Sequence, residues 1–217
     1  MTTMRRADWL IPVGLIALAA IPVIAGTVRL IMLGTGAAMT PENARFVSAP
    51  LPVVLHIIGA TIYCVLGAFQ FSPGLRRRHL SWHRIAGRAL VILGLVAAFS
   101  GIWMAMTYAI DTTLLHVFRL LMGAGMALSL VLAYIAIRRR DVTHHQAWMM
   151  RAYAIRQGAG TQALTQAPIL VIFGRPDDLS IALLMGAAWG INLAVAEWLI
   201  RRKPRRVTGA LPVAATA

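Results

Sequence analysis

The sequence predicts an all-α polytopic membrane protein: one bundle of six transmembrane helices with its N- and C-termini in the cytoplasm. Three observations carry this. Of the 217 residues, 59% are apolar and only 13% are charged, and the mean hydropathy is +0.73. A soluble domain carries about twice that charged fraction, so an ordinary water-soluble domain and a disordered chain are both excluded. Six stretches reach the ~20 mostly apolar residues that a spanning helix needs. The cations between those stretches fall almost entirely on one side.

The first span, 9–33, follows Arg5 and Arg6. Its apolar run exceeds the ~7–15 residues of a signal-peptide core, so it is an uncleaved span, bent at Pro12 and Pro22. The second span is 51–71 and the third 85–108. Gly87, Gly94 and Gly101 recur every seven residues in the third, on one face where a helix or a flat ligand approaches closely. The fourth span is 115–137. The fifth, 148–172, carries Arg151, Arg156, Gln157, Thr161, Gln162, Thr165 and Gln166. That is too polar for a helix facing lipid, so it belongs at the centre. The sixth, 180–200, carries Asn192 and Glu197. The membrane domain therefore runs 1–204, and 205–217 is a disordered cytoplasmic tail.

Charge placement sets the orientation. With the N-terminus inside, the inner segments hold 14 cations: Arg5, Arg6, Arg76, Arg77, Arg78, Arg84, Arg138, Arg139, Arg140, Arg201, Arg202, Lys203, Arg205 and Arg206. The outer loops hold Arg45 and Arg175, with the acids Glu42, Asp111, Asp177 and Asp178. This is the positive-inside asymmetry. The net charge of +14 would suggest nucleic acid in a soluble protein; here it describes topology. The single cysteine, Cys64, excludes an intramolecular disulfide and a Cys-based zinc or iron–sulfur site.

All six histidines lie near a membrane face. His56 and His116 sit near the outer side of spans two and four. His79 and His83 precede or open span three on the inner side, and His144 and His145 precede span five. A six-coordinate b-type haem needs two imidazoles from facing helices at one depth. His56 and His116 would be its outer ligands, and His83 with His144 or His145 the ligands of an inner one. The separations, 60 residues outside and 61 or 62 inside, suit two hairpins of like geometry. Arg119 near the outer pair, and Arg88 and Arg151 near the inner one, are the candidate propionate partners. Each histidine also has a plainer reading as an interfacial residue. A rival reading gathers His79, His83, His144 and His145 into an inner divalent-metal site, since residues four apart share a helix face.

The second constellation is a polar network of Arg156, Gln162, Asn192 and Glu197. Intramembrane cations are costly and are paired or line a cavity. From the start of span five, Arg156 lies about 12 Å deep at ~1.5 Å per residue, level with Asn192. Glu197 lies level with Arg151 and Arg88 and pairs with one of them. The functional reading is a polar cavity for a quinone, a substrate or a propionate. The structural one is a hydrogen-bond network that holds helices together. There is no G-x-S-x-G, no H-E-x-x-H and no phosphate loop, so whether the chain is an enzyme stays open.

Specific strings resemble a known family. They are His56 to Gly59, Gly67 to Phe71, Arg76 to His79, Trp82 to Arg84 and Gly87 with Arg88, then His144 to Met149, Arg151 to Tyr153, Gly160 to Gln162, and Trp189 with Asn192 and Glu197. Over about 50–200 the chain resembles the bacterial predicted membrane proteins of domain of unknown function 2306. That resemblance implies a multi-pass protein of the bacterial cytoplasmic (inner) membrane and no established activity. A looser likeness is to cytochrome b561-type proteins, which also have six spans with haem ligands on spans two and four and on spans three and five. In that family the ligands lie well inside the helices, whereas His83, His116, His144 and His145 stand at helix starts. The leading expectation is transmembrane electron transfer through one or two bis-histidine b haems, with a quinone or redox protein as partner. The alternative is a non-redox membrane protein, a small-solute transporter or accessory subunit, with a polar cavity around the fifth and sixth helices.

Overall fold

The computed structural model describes residues 6–36, 38–41, 43–108, 112–174 and 176–202. Arg5, Glu42, Asp111, Arg175, Lys203 and the tail 205–217, which carry part of the topology argument, lie outside the described residues. The described residues form eight helices: α1 (Arg6–Gly34), α2 (Ala44–Ser48), α3 (Pro50–Gln70), α4 (Pro73–Arg78), α5 (Leu80–Thr107), α6 (Thr113–Arg138), α7 (Val142–Phe173) and α8 (Asp178–Arg202). The six long helices coincide with the six apolar stretches. Five of them, α1, α3, α5, α6 and α8, are long and apolar enough to cross a membrane. α7 has the length, at 32 residues, but its arginines, glutamines and threonines lower its apolarity. The protein is therefore a multi-pass membrane protein.

The chain caps its helices with local side chains, which satisfies N–H groups that have no partner inside the helix. Ser72 accepts from Leu75 at the start of α4, and Thr112 accepts from Leu115 at the start of α6. Asp177 accepts from the Ser180 N–H before α8, at 2.7 Å. Asp8 of α1 adds a second cap to α4, accepting the Gly74 N–H at 3.0 Å. A Cβ at Gly74 would collide with that carboxylate. Between α6 and α7 the turn is tight, and Arg140 adopts φ 61° to make it.

Two helices begin earlier than the apolar stretches suggest. α5 starts at Leu80 and α7 at Val142, because their first turns are polar yet helical. This puts His83, His144 and His145 inside helices. It also moves Arg156 to fourteen residues from the start of α7, about 21 Å at ~1.5 Å per residue. Arg156 is thus mid-helix and deeper than the sequence implied.

Short connections force antiparallel neighbours. α1 packs on α3, α3 on α5, α5 on α6 and α6 on α7, and α7 packs back on α1; α8 lies against α6 and α7. α7 also touches α3, so it is central as expected. The core holds Tyr63, Leu90, Met126, Leu130, Tyr153 and Ile155, with alanines between them. Gly94 lets Tyr63 and Leu130 close in, and Gly101 faces the His56 ring at 3.3 Å from a would-be Cβ. The glycine face of α5 is therefore a packing surface for α3 and α6. The outer surface is apolar: Ile24, Ile85, Ile92, Leu128 and Val171 are all exposed, as suits contact with lipid tails. One end of the bundle gathers Arg76–Arg78, Arg84, Arg138–Arg140, Arg201 and Arg202; we call it the basic end. The other is the α2 end.

Candidate functional site

A cavity of about 290 Å³ opens toward the α2 end, between α2, α3, α5, α6, α7 and α8. Its polar lining comprises Arg45, His56, Arg119, Arg156 and Gln162, with Tyr108 at the rim. Met104, Met122, Met126, Ile155, Met185 and Trp189 supply apolar wall. Four residues expected to be functional thus share one space: His56, Arg119, Arg156 and Gln162.

Local structure explains their placement. His56, the seventh residue of α3, donates from Nδ1 to the Ala97 carbonyl of α5 at 2.8 Å. A carbonyl only accepts, so Nδ1 carries a proton and Nε2 is the nitrogen left for a ligand. Arg119 follows the first turn of α6. Arg156 is held on the face of α7 between Ile155 and Ala159, both of which also line the space. Gly158 gives Trp189 its place, since a Cβ there would strike the indole.

Three buried nitrogens in this lining have no hydrogen-bond partner: Arg45 Nε, Arg156 Nε and Gln162 Nε2. A buried donor left unpaired costs ~1–3 kcal/mol, more when charged. No Asp or Glu is among the described residues of the lining. Among the described residues the cavity lining is therefore rich in donors and holds no acid.

The mouth is built by α2, which apolar periodicity did not reveal. Phe46 lies under two cations, with Arg29 Cζ at 4.4 Å and Arg45 Cζ at 4.8 Å from its ring centre. Tyr108 meets it edge-on at 5.6 Å and donates from its hydroxyl to the Ala49 carbonyl at 2.6 Å. Asn43 at the start of α2, followed by Arg45 and Phe46, is the one signal of this element in the sequence. Asn43 ties the loop by accepting from the Thr40 N–H at 2.7 Å.

The other expected residues lie elsewhere. His116 stands one turn toward the α2 end from Arg119 and does not line the cavity, so His56 is the one histidine among the described residues there. At the basic end, His83 lies within electrostatic reach of His145. His145 is turned to the Ala133 carbonyl, with Nδ1 at 2.9 Å. His144 is exposed and bonded to Asp141, 2.6 Å away. Arg88 is exposed on α5. A haem held by two imidazoles needs a facing pair of histidines, and of the outer pair only His56 lines this cavity, so the outer haem gains no support here. The four-histidine metal reading gains no support either: no group of three or more His, Cys, Asp or Glu side chains among the described residues is placed to hold a metal ion.

The polar network divides into three. Arg156 and Gln162 face the cavity. Asn192 pairs with Thr161, donating from Nδ2 to its hydroxyl at 2.9 Å, and not with Arg156. Glu197 pairs with Arg151 at the basic end, through contacts of 2.5 and 3.1 Å. A second space of about 350 Å³ between Leu55, Ile92, Phe99 and Trp103 is apolar. Its one hydroxyl, on Ser100, already donates to Val96 at 2.6 Å.

Residues 53–200 match the family described as predicted membrane protein, DUF2306. The match covers most of the chain and nearly all of the bundle from α3 to α8. The chain belongs to this family. The DUF2306 match brings the membrane assignment and no activity, and the looser likeness to cytochrome b561-type proteins gains no support from it. No curated protein and no solved structure matches the chain. Within this DUF2306 protein the cavity residues His56, Arg119, Arg156, Gln162 and Trp189 fall inside the matched segment, whereas Arg29 and Arg45 precede it.

Proposed function

We propose that this DUF2306 protein crosses the bacterial inner membrane six times, with both termini cytoplasmic, and binds a small solute in the cavity at its α2 end. The carrying observation is that Arg45, Arg156 and Gln162, each with a buried nitrogen that has no hydrogen-bond partner, line one cavity. Proteins leave buried donors unpaired where something else satisfies them, and intramembrane cations line cavities or pathways. A small-solute carrier or the solute-binding subunit of a larger assembly uses such a site. Electron transfer through paired haems is the weaker reading, because of the outer histidines only His56 lines the cavity.

Cysteine labelling tests this. Cys64 is buried, so wild-type protein should resist a membrane-impermeant thiol reagent. Met185→Cys, on the cavity wall, should react in intact membranes when the reagent reaches the periplasmic face. Reaction from both faces would mark a carrier, and reaction from one face a binding subunit. Inertness of Met185→Cys until the protein is denatured would overturn the reading.

A further inference from the structure

The chemistry of the cavity wall specifies its ligand further, given that the cavity is a binding site. We infer that the cavity takes a small organic anion: a carboxylate carried on a compact apolar body.

Charge is the first argument. Arg45 and Arg156 both line the space, each with a partnerless Nε, and no Asp or Glu is among the described lining residues. A guanidinium brings a fixed positive charge to any protein setting. Water can satisfy the Nε–H groups but leaves the field in place. An anion does both. The planar fork of Arg matches a carboxylate with two parallel hydrogen bonds. Gln162 Nε2 adds a neutral donor.

The walls supply the second argument. Met104, Met122, Met126, Ile155, Met185 and Trp189 surround the cations. A bare inorganic ion would leave that surface wet. An apolar body covers it, gaining ~25 cal/mol per Å² removed from water, and methionine adapts to irregular shapes. Size is the third. About 290 Å³ lies just under the ~300–1,000 Å³ of pockets that enclose drug-sized molecules. The ligand is thus nearer one aromatic ring or a short aliphatic chain than a long lipid.

Thermal-shift titration of the full-length protein in an uncharged detergent at low salt tests this, with four probes: benzoate, benzyl alcohol, benzylammonium and chloride. Benzoate should raise the melting temperature saturably, and the other three should shift it by less than a third as much. Arg156→Gln should weaken the half-saturating benzoate concentration at least tenfold, and Arg156→Lys should recover part of the loss. If Arg156→Gln fails to fold, Arg45→Gln at the mouth serves, with the same direction expected. Equal shifts from benzyl alcohol or chloride would overturn the anion assignment. So would no shift from any probe. In either case Met185→Cys labelling would show separately whether the binding cavity itself stands.

Discussion

Arg151 on α7 grips Glu197 on α8 with two hydrogen bonds, Nε to Oε1 at 2.5 Å and Nη2 to Oε2 at 3.1 Å. The fork geometry ties the polar helix to the last helix at the basic end. The Arg151 guanidinium also lies over the Trp148 ring, 4.5 Å from its centre. Arg201 reaches the same carboxylate only at 4.0 Å, from a side chain that is 83% exposed.

This pair should matter more than a surface ion pair and less than a fully buried one. Its side chains are 25% and 33% exposed, so solvent screens part of the attraction. Glu197→Gln should cost about 1–3 kcal/mol. A chain of this size loses ~2–4 °C of melting temperature per kcal/mol. Arg201→Gln should cost almost nothing. Melting curves of both variants in detergent check this; equal losses would mean the fork contributes no more than long-range charge.

Two glycines should respond to alanine with opposite signs. A Cβ at Gly160 would run into the Leu18 carbonyl of α1. That obstacle is backbone and cannot rotate away, so α1 and α7 would have to separate. Overpacking of this kind costs ~1–3 kcal/mol. Around Gly190 on α8 there is nothing within 4 Å of a would-be Cβ, so Gly190→Ala should be neutral or stabilising by up to ~1 kcal/mol. Yields of folded protein and melting temperatures should separate the two. If Gly160→Ala is silent, α7 is not clamped to α1 there.

The contrast between these glycines shows what could be read from the chain. Long apolar runs report helices because the bilayer demands about 20 such residues whatever their neighbours, and all six long helices lie where those runs lie. The polarity of α7 reported its central position by the same logic: Gln157 donates to the Leu15 carbonyl of α1 at 2.8 Å, and Thr161 holds Asn192. What the chain did not disclose is rotation about each helix axis. His116 and Arg119 are three residues apart, yet only Arg119 lines the cavity. Sequence separation equated the levels of His56 and His116 but could not say which face each presents. Asn192 was matched to Arg156 by depth, and rotation gave it Thr161 instead. Short elements were hidden for a different reason: α2, five residues long, has too few turns to show a period.

The start of α7 should be sensitive to acid. Asp141 accepts the His144 backbone N–H at 3.0 Å, and its other oxygen meets His144 Nδ1 at 2.6 Å. These contacts, the backbone one foremost, hold the Asp141 carboxyl below its ordinary value. A depressed carboxylate stabilises the fold fully above the unfolded-state pKa of ~3.9 and progressively less as pH falls toward its own lower pKa. Asp141→Asn keeps a capping oxygen but cannot titrate. The melting-temperature gap between wild type and Asp141→Asn should be flat from neutral pH down to about pH 5 and shrink below pH 4. A gap that widens with acid would reverse the sign and exclude this capping role.

Whether α7 crosses the membrane decides the topology, and the helix carries evidence along its length. The polar side chains of its middle turn inward: Gln157 is buried, Arg156 lines the cavity, and Thr161 bonds Asn192. Its last turns reverse the pattern. Leu170, Val171, Ile172 and Phe173 are strongly exposed, Val171 at 84% and Phe173 at 80%. Exposed apolar side chains next to an inward-turned polar face suit a spanning helix whose inner face meets protein and whose outer face meets lipid. Leaving α7 outside the bilayer would put those four side chains in water and would place Arg139 and Asp178 on one side. We therefore expect reporter fusions after Arg139 and Arg202 to be active as cytoplasmic reporters, and fusions after Ala49 and Asp178 as periplasmic ones. The positive-inside asymmetry sets that direction, since Arg138, Arg139 and Arg140 cluster in the α6–α7 turn. Arg139 and Asp178 fusions reporting the same compartment would reduce the chain to five crossings. That result would also put the two ends of α8 on the wrong sides for a cytoplasmic C-terminus.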